Sequence, residues 1–445
     1  MALVALAFSQ APGRLIGDTK SDLVLDPGTF LRRALEAWNP LQGFGVLDNQ
    51  SYGYLWPMGP FFWLGHELGV PGWAVQRGWW ALLLVVGFTG ALKLAGALGI
   101  GTPATRLLAA LAYVLSPRVL SVLGTISVEA WPAAVLPWIL LPLVRGAGGQ
   151  LSPRQAAAWS GVAVLCLGGV NATASAAVLP LPLLYLLTRP AGVRGRLLAW
   201  WVPITVLAAS WWALPLLLLG RYGYDFLDVI ESSKVTTSVT GLVDTLRGGD
   251  HWLGYLVVDG RPVWTAGWEL ATGPGLVVVT TLVAAAGLAG LLLRGLPDRR
   301  WLLGGVLLGT VLVAAAHTGV LTGPLASTLQ SALDGRLAPL RNVHKADPVL
   351  RLPLVLGLAH LLAVASRAAG RVGRPVPARF AAAAAVPVVA GLVAVTLLPA
   401  WGSGLAPRGA YAATPAYWQQ AADWLDQRAG GERTLLLPSA NAPIY

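Results

Sequence analysis

Asp18, Asp22 and Asp26 stand four residues apart in the stretch 17–27, just beyond the first hydrophobic segment of the chain. Carboxylates are expensive beside a bilayer, so a cluster placed there asks for a reason. On a helix the three would share one face. One of them could act as a general base if burial raised its pKa towards the working pH. A pair could bind a hard divalent cation, calcium or magnesium, through oxygen. The third role is capping and solvated charge, and Asp26-Pro27 fits it as an N-cap followed by proline at the first helical position. The helix it opens is predicted over 27–38, with Phe30, Leu31, Ala34, Leu35 and Trp38 on one face and Arg32, Arg33 and Glu36 on the other. That pattern belongs in a membrane interface. Asp18 and Asp22 remain as the chemical candidates, flanking Lys20, one of only four lysines in the chain.

A second constellation, Arg341, His344, Lys345, Asp347 and Arg351, runs straight into a later hydrophobic segment. Arginine grips phosphate with two donors and lysine adds a point charge, so Arg341, His344, Lys345 and Arg351 suit a phosphate or pyrophosphate at the membrane rim. A lipid headgroup would use the same chemistry. Two aromatic stretches accompany these sets. One is Asp48-Asn49-Gln50-Ser51-Tyr52-Gly53-Tyr54 with Pro57-Met58-Gly59-Pro60; the other holds Asp250-His251-Trp252, Tyr255, Trp264, Trp268 and Glu269. Asn49, Gln50, Tyr52, Tyr54, Trp252 and Trp268 could line a sugar site, where aromatic faces pack on ring C–H groups. Interfacial anchoring accounts for the same aromatics equally well.

The elements that must position these residues are membrane spans. The chain has 445 residues, 56% hydrophobic and 11% charged, with a mean hydropathy of +0.64. A soluble domain carries about 25% charged residues, and a span needs about 20 apolar ones. Segments of that kind are read at 1–16, 78–97, 105–121, 129–144, 155–170, 173–188, 197–219, 272–293, 301–320, 350–366 and 380–400, about eleven transmembrane helices in an all-α polytopic fold. The first is short and lacks a basic flank, so it reads as a span clipped at its start rather than a signal peptide. The pair 155–170 and 173–188, separated by Asn171-Ala172, reads as a tight hairpin or as two re-entrant halves.

Charge sets the orientation. Lys93, Arg106, Arg145, Arg154, Arg189, Arg194, Arg196, Arg294, Arg299, Arg300, Arg367, Arg371, Arg374 and Arg379 crowd the short even-numbered connections, and of the acids only Asp298 joins them. The positive-inside rule makes those connections cytoplasmic. The long loops 17–77, 220–271 and 321–349 and the tail from Trp401 are then external, where water and substrates reach them. The net charge of +11 reflects loop anchoring on anionic lipid. No basic face of the kind nucleic acid needs is evident.

Absences narrow the function further. The spans hold almost no ionisable groups: Glu129 sits at an outer edge, and His317 and His360 stand alone. Proton-coupled transporters usually carry chains of such groups, and no internal repeat is visible. The sequence has no P-loop, dinucleotide fingerprint or HExxH motif. It also has no Asp-x-Asp pair, which argues against a metal-bridged nucleotide-sugar donor, and no metal ligand set is assigned. The single cysteine, Cys166, excludes an internal disulfide. Outer carboxylates with a rim phosphate pocket suit a lipid-phosphate-linked donor.

The strings Gly17-Asp18-Thr19-Lys20-Ser21-Asp22-Leu23, Asn49-Gln50-Ser51-Tyr52-Gly53-Tyr54, Pro57-Met58-Gly59-Pro60 and Arg341-Asn342-Val343-His344-Lys345, with Asp347-Pro348 and Arg351-Leu352-Pro353, carry a resemblance. They resemble the actinobacterial AftD-type α-(1→3)-arabinofuranosyltransferases of the GT-C superfamily, over essentially the whole chain. The resemblance implies transfer of arabinofuranose from decaprenyl-phosphoryl-arabinose onto cell-envelope arabinan, on the outer face of the plasma membrane among its lipids. It places the catalytic acid at Asp18, with Asp22 in reserve, and the donor phosphate at Lys20, Arg341, His344, Lys345 and Arg351. A GT-C enzyme using another polyprenyl-linked sugar such as mannose, and a non-enzymatic carrier of lipid-linked glycan, are the alternatives.

Family members continue beyond Tyr445 into external modules. Residues 1–400 are therefore read as the catalytic membrane domain and 401–445 as the start of an external α/β domain. In that start, Thr414-Pro415 opens a helix to about Arg428 and 433–437 form a strand. One helix and one strand cannot bury a core.

Overall fold

The computed structural model describes residues 1–18, 20–40, 45–47, 51–223, 227, 230–319, 322–370, 376–429, 431–432 and 434. It is helical almost throughout. The first helices are α1 (Ala2–Phe8), α2 (Ser21–Leu25), α3 (Pro27–Arg33) and α4 (Met58–Glu67), followed by the long α5 (Gly72–Ala97). Next come α6 (Pro103–Val114), α7 (Pro117–Leu123), α8 (Ser127–Ala147), α9 (Pro153–Leu165), α10 (Ala172–Ala177), α11 (Pro180–Leu187) and α12 (Ala191–Tyr222). Short helices α13 (Ser233–Thr237), α14 (Leu242–Arg247) and α15 (Thr265–Thr272) precede α16 (Pro274–Leu292) and α17 (Arg299–Ala314). The chain ends with α18 (Ala326–Leu333), α19 (Asp347–Ala369), α20 (Val376–Val395) and α21 (Ala416–Arg428). Two-stranded antiparallel ribbons pair Trp38–Asn39 with Val46–Leu47 and Val257–Val258 with Arg261–Pro262.

Every apolar segment read from the sequence contains helix. Among the described residues six helices are long and apolar enough to cross a membrane, or seven if α6 and α7, bent by 46°, count as one broken span. The first segment differs from the expectation. Only Ala2–Phe8 is α-helical, because Pro12 removes a donor and Gly13 adopts φ +75°. The stretch from Gln10 to Ile16 is instead gripped by α5: Arg77 donates to the carbonyls of Gln10 and Arg14, and Gln76 exchanges two hydrogen bonds with the backbone of Ile16. Within it, Leu15 also pairs with the backbone of Tyr411 near the other end of the chain.

The hairpin expected around residues 171–172 is built from α9, α10 and α11, with Asn171 capping α10 through Ala174 N–H. The interfacial helix after Asp26 is shorter than 27–38, ending at Arg33, and Asp26 caps it by accepting from Thr29 N–H at 3.0 Å. At the C-terminus α21 matches the expected helix, while the strand at 433–437 lies largely outside the described residues.

Helix α19 is the axle of the bundle. It is buried continuously from Asp347 to His360 and packs on α6, α16, α17 and α20. Without a hydrophobic drive between helices in lipid, close packing depends on small residues. Gly290 meets Gly357 so closely that a Cβ on Gly290 would fall 1.8 Å from the Gly357 carbonyl oxygen. Short connections make successive helices antiparallel, so residues 98–102, 148–152, 188–190 and 293–298 gather at one end of the bundle. The other end receives the described residues of 17–71 and those that follow α12 and α17.

Candidate active site

The break between α6 and α7 begins the site. Pro117 lacks the N–H that would continue α6, so the chain turns at Ser116 and restarts as α7. The restart points Arg118 at Glu129, in the first turn of α8, and the two form a buried ion pair. Two further groups converge on the same Glu129 oxygen: His344 Nε2 at 3.2 Å and His251 Nε2 at 3.6 Å. Lys345 Nζ approaches the other carboxylate oxygen at 3.7 Å. Segments separated in sequence thus meet at one carboxylate.

Each of these segments is held from behind. His344 and Lys345 lie on the tight turn Val343–Ala346, ahead of α19. Asn342 pins that turn, accepting from the Trp252 indole at 2.9 Å and donating to Glu231 at 2.6 Å, while Thr236 donates to the Arg341 carbonyl. Gly248, at φ +86°, lets the 248–251 segment pass against Arg351 and the backbone of Arg118; a Cβ there would lie 3.0 Å from the Arg351 guanidinium. Asp250 follows it, wholly buried with both carboxylate oxygens unpartnered. Burial, and then the nearby Asp347 carboxylate, push Asp250 up to about 8. Burial also holds the neighbouring His251 imidazole well below its usual range.

Asp18 sits beside this cluster at the N-terminus of α8. It is 5% exposed and accepts from Ser127 N–H at 2.5 Å and from the Trp80 indole at 2.8 Å. The Arg77 guanidinium stacks over Trp80 at 4.6 Å, which fixes the indole. Burial pushes the Asp18 carboxyl above the ordinary aspartate range, against the lowering pull of those two bonds and of Arg77. Helix α2 starts only at Ser21 and ends at Leu25, so Asp18, Asp22 and Asp26 do not share a helical face. Asp22 and Lys20 are exposed, whereas Asp18 is buried.

The rim cations divide into two kinds. Arg341 donates to the carbonyls of Leu227, Glu231 and Leu333. Arg351 pairs with Asp347 and donates to Thr245 and Leu246, carbonyls in the last turn of α14. Arg247 does the same for α15 through the carbonyls of Leu270 and Ala271. These arginines close helix ends and loops, a use that cations serve well there. His344 and Lys345 face Glu129.

Of the aromatic candidates, Tyr54 packs edge-on against Phe30 with centroids 5.3 Å apart, and the buried Tyr52 hydroxyl has no partner. Trp252 is engaged with Asn342, and Trp268 is half-buried on α15. Asn49 and Gln50 lie outside the described residues. Sequence reasoning did not single out Arg118, Glu129 or Asp250 as site residues. A carboxylate at the edge of a span was the one available signal, at Glu129.

A small, mostly apolar cavity lies between α6, α16, α19 and α20, lined by residues that include Ala112, Leu115, Val283, Leu354, Val355 and Leu358, with Ser116, Thr280, Arg351 and Thr396 among its polar members.

Residues 2–445 match the family described as Alpha-(1->3)-arabinofuranosyltransferase, N-terminal GT-C domain. The chain belongs to this family. The GT-C domain is 47% identical over 436 residues to the alpha-(1->3)-arabinofuranosyltransferase of Mycobacterium tuberculosis, covering 95% of this chain and 30% of that protein. Against the alpha-(1->3)-arabinofuranosyltransferase of Mycolicibacterium smegmatis it is 46% identical over 458 residues, covering 100% of this chain and 32% of the relative. The cryo-EM structure of arabinofuranosyltransferase AftD from Mycobacteria superposes with a TM-score of 0.76 at 41% identity, over 97% of this chain and 28% of that one. The chain therefore spans about a third of the length of the relatives it matches. With its long apolar helices, this GT-C domain is a multi-pass membrane protein.

Proposed function

We propose that the chain is the membrane catalytic part of a glycosyltransferase that moves arabinofuranose from decaprenyl-phosphoryl-arabinose to the arabinan of the cell envelope. The observation that carries this reading is the buried carboxylate Asp18 at the start of α8, beside the buried Glu129 cluster that Lys345 faces. The names of the relatives supply the sugar.

The site faces the outside of the plasma membrane in this reading. The short arginine-rich connections gather at the opposite end of the bundle, which the positive-inside rule makes cytoplasmic.

Asp18 is the general base. Its raised pKa suits proton acceptance near neutral pH better than an ordinary aspartate does. The acceptor hydroxyl oxygen attacks the anomeric carbon and gives its proton to Asp18. The bond from that carbon to the phosphate oxygen breaks, and the phosphate leaves with the electron pair. Lys345, with Arg351 and Arg118 behind it, stabilises the charge developing on the phosphate, usually the larger contribution. Arg341 and Lys20 act at a distance, through the loop fold and the outer surface.

The test is transfer from decaprenyl-phosphoryl-arabinose to a short arabinan acceptor by the intact purified protein, wild type beside Asp18→Asn. Product from the wild type alone supports donor, reaction and base together. Equal product from both removes Asp18 as base, and none from the wild type removes the donor.

A further inference from the structure

Glu129, His251 and His344 are brought together from three distant parts of the chain, and all three are buried at 6%, 2% and 1% exposure. One ligand atom from each lies within 4.8 Å of the others. Glu129 Oε1 is 3.2 Å from His344 Nε2 and 3.6 Å from His251 Nε2. In tetrahedral zinc sites, with bonds of about 2.0 Å, neighbouring ligand atoms stand roughly 3.3 Å apart. The two imidazoles meet edge-on, with centroids 4.5 Å apart and planes at 77°.

The second observation is a deficit of partners. Neither ring nitrogen of His251 has a hydrogen-bond partner, and nor does Nδ1 of His344. Buried polar atoms in native proteins are almost always satisfied, so such a concentration asks for a ligand.

We propose that Glu129, His251 and His344 form a binding site for one divalent transition-type cation, zinc by preference. Two imidazoles with one carboxylate are a borderline donor set, which suits zinc and its neighbours and does not suit calcium or magnesium. The site is thus distinct in place and class from the hard-cation reading of Asp18 and Asp22. Three protein ligands leave one position open, as in sites where the metal meets a further ligand.

Arg118 now holds the Glu129 oxygen that the metal would use. Metal entry would displace Arg118 from that oxygen. The cation, with Lys345 beside it, would then present positive charge to the phosphate of a lipid-linked donor. That last step rests on the donor reading above; metal binding itself does not.

The test is metal content and cobalt spectroscopy on the intact protein, purified in detergent without a metal-affinity step and without donor or acceptor. One zinc per chain more in the wild type than in the His251→Ala/His344→Ala double variant is expected, with chelation removing it. Cobalt added to the stripped wild type should give the intense visible bands of a low-coordinate site, and the double variant should lack them. Should the double variant fail to fold, Glu129→Gln, which keeps the shape of the side chain, replaces it; X-ray absorption of the wild-type zinc should show two imidazoles. A wild type that takes up neither metal overturns the proposal, as does zinc retained equally in a folded variant. Because no sugar is present, either result stands apart from the outcome of the transfer assay.

Discussion

The two ends of the helical bundle use the same residue types in opposite ways. At one end Lys93, Arg145, Arg154, Arg196, Arg294, Arg300 and Arg367 are exposed near helix ends or on the connection between them. At the other, Arg118, His251, His344 and Arg351 are buried and organised around Glu129 and Asp347. The exposed set needs only water or lipid phosphate for company, and its position along the chain is enough to explain it. The buried set is tolerable only because each charge meets an opposite charge or a carbonyl. A cation at a span end is therefore weak evidence of a binding site until its partners are known.

The strongest test of this contrast is Asp18→Asn. Loss of a general base should lower transfer by about 10²- to 10⁴-fold while donor binding persists, measured by turnover beside lipid-donor affinity. Burial raises the Asp18 pKa, and the base works only when ionised. Transfer should therefore fall as pH drops through a midpoint above the ordinary aspartate range, and recover as pH rises; an acid limb at an ordinary aspartate pKa would remove Asp18 from that role. Next in size is Arg118→Ala, which removes the nearer of the two cations paired with the buried Glu129. It should cost about 3–5 kcal/mol, seen as a lowered unfolding temperature in detergent.

Lys345→Ala should weaken binding of the lipid-linked donor by about 10-fold with little change in stability, since a charge-assisted bond contributes roughly 1.5–3 kcal/mol. Unchanged affinity would move the phosphate elsewhere. Asp26→Ala, at the interfacial helix, should cost about 1 kcal/mol through loss of the cap to Thr29. Smallest is Arg145→Ala at the opposite end, expected within about 0.5 kcal/mol of wild type. A large loss there would erase the contrast between the ends.

The lone histidines illustrate how far the sequence reaches. His317 and His360 stand apart from any ionisable cluster in the sequence, and in the fold they contact the Thr237 and Arg294 carbonyls. His344 stands in a cationic cluster in the sequence, which suggested a phosphate, yet in the fold it faces a buried glutamate. The Asp26-Pro27 cap was legible because cap and helix are adjacent. Two other starts of the same kind, Thr102-Pro103 and Ser152-Pro153, are capping boxes.

What the sequence determined by itself is local: helical segments from hydropathy, their two ends from the arginines, and helix starts from caps. These follow from interactions between near neighbours or with the solvent phase, so a short window contains their cause. Only the tertiary structure decided that Glu129, His251 and His344 meet, that Arg341 and Arg351 serve backbone carbonyls, and that Asp18 is buried while Asp22 is exposed. A buried polar group takes its partner from whichever segment the packing of α19 and its neighbours brings within reach, and no local window holds that information.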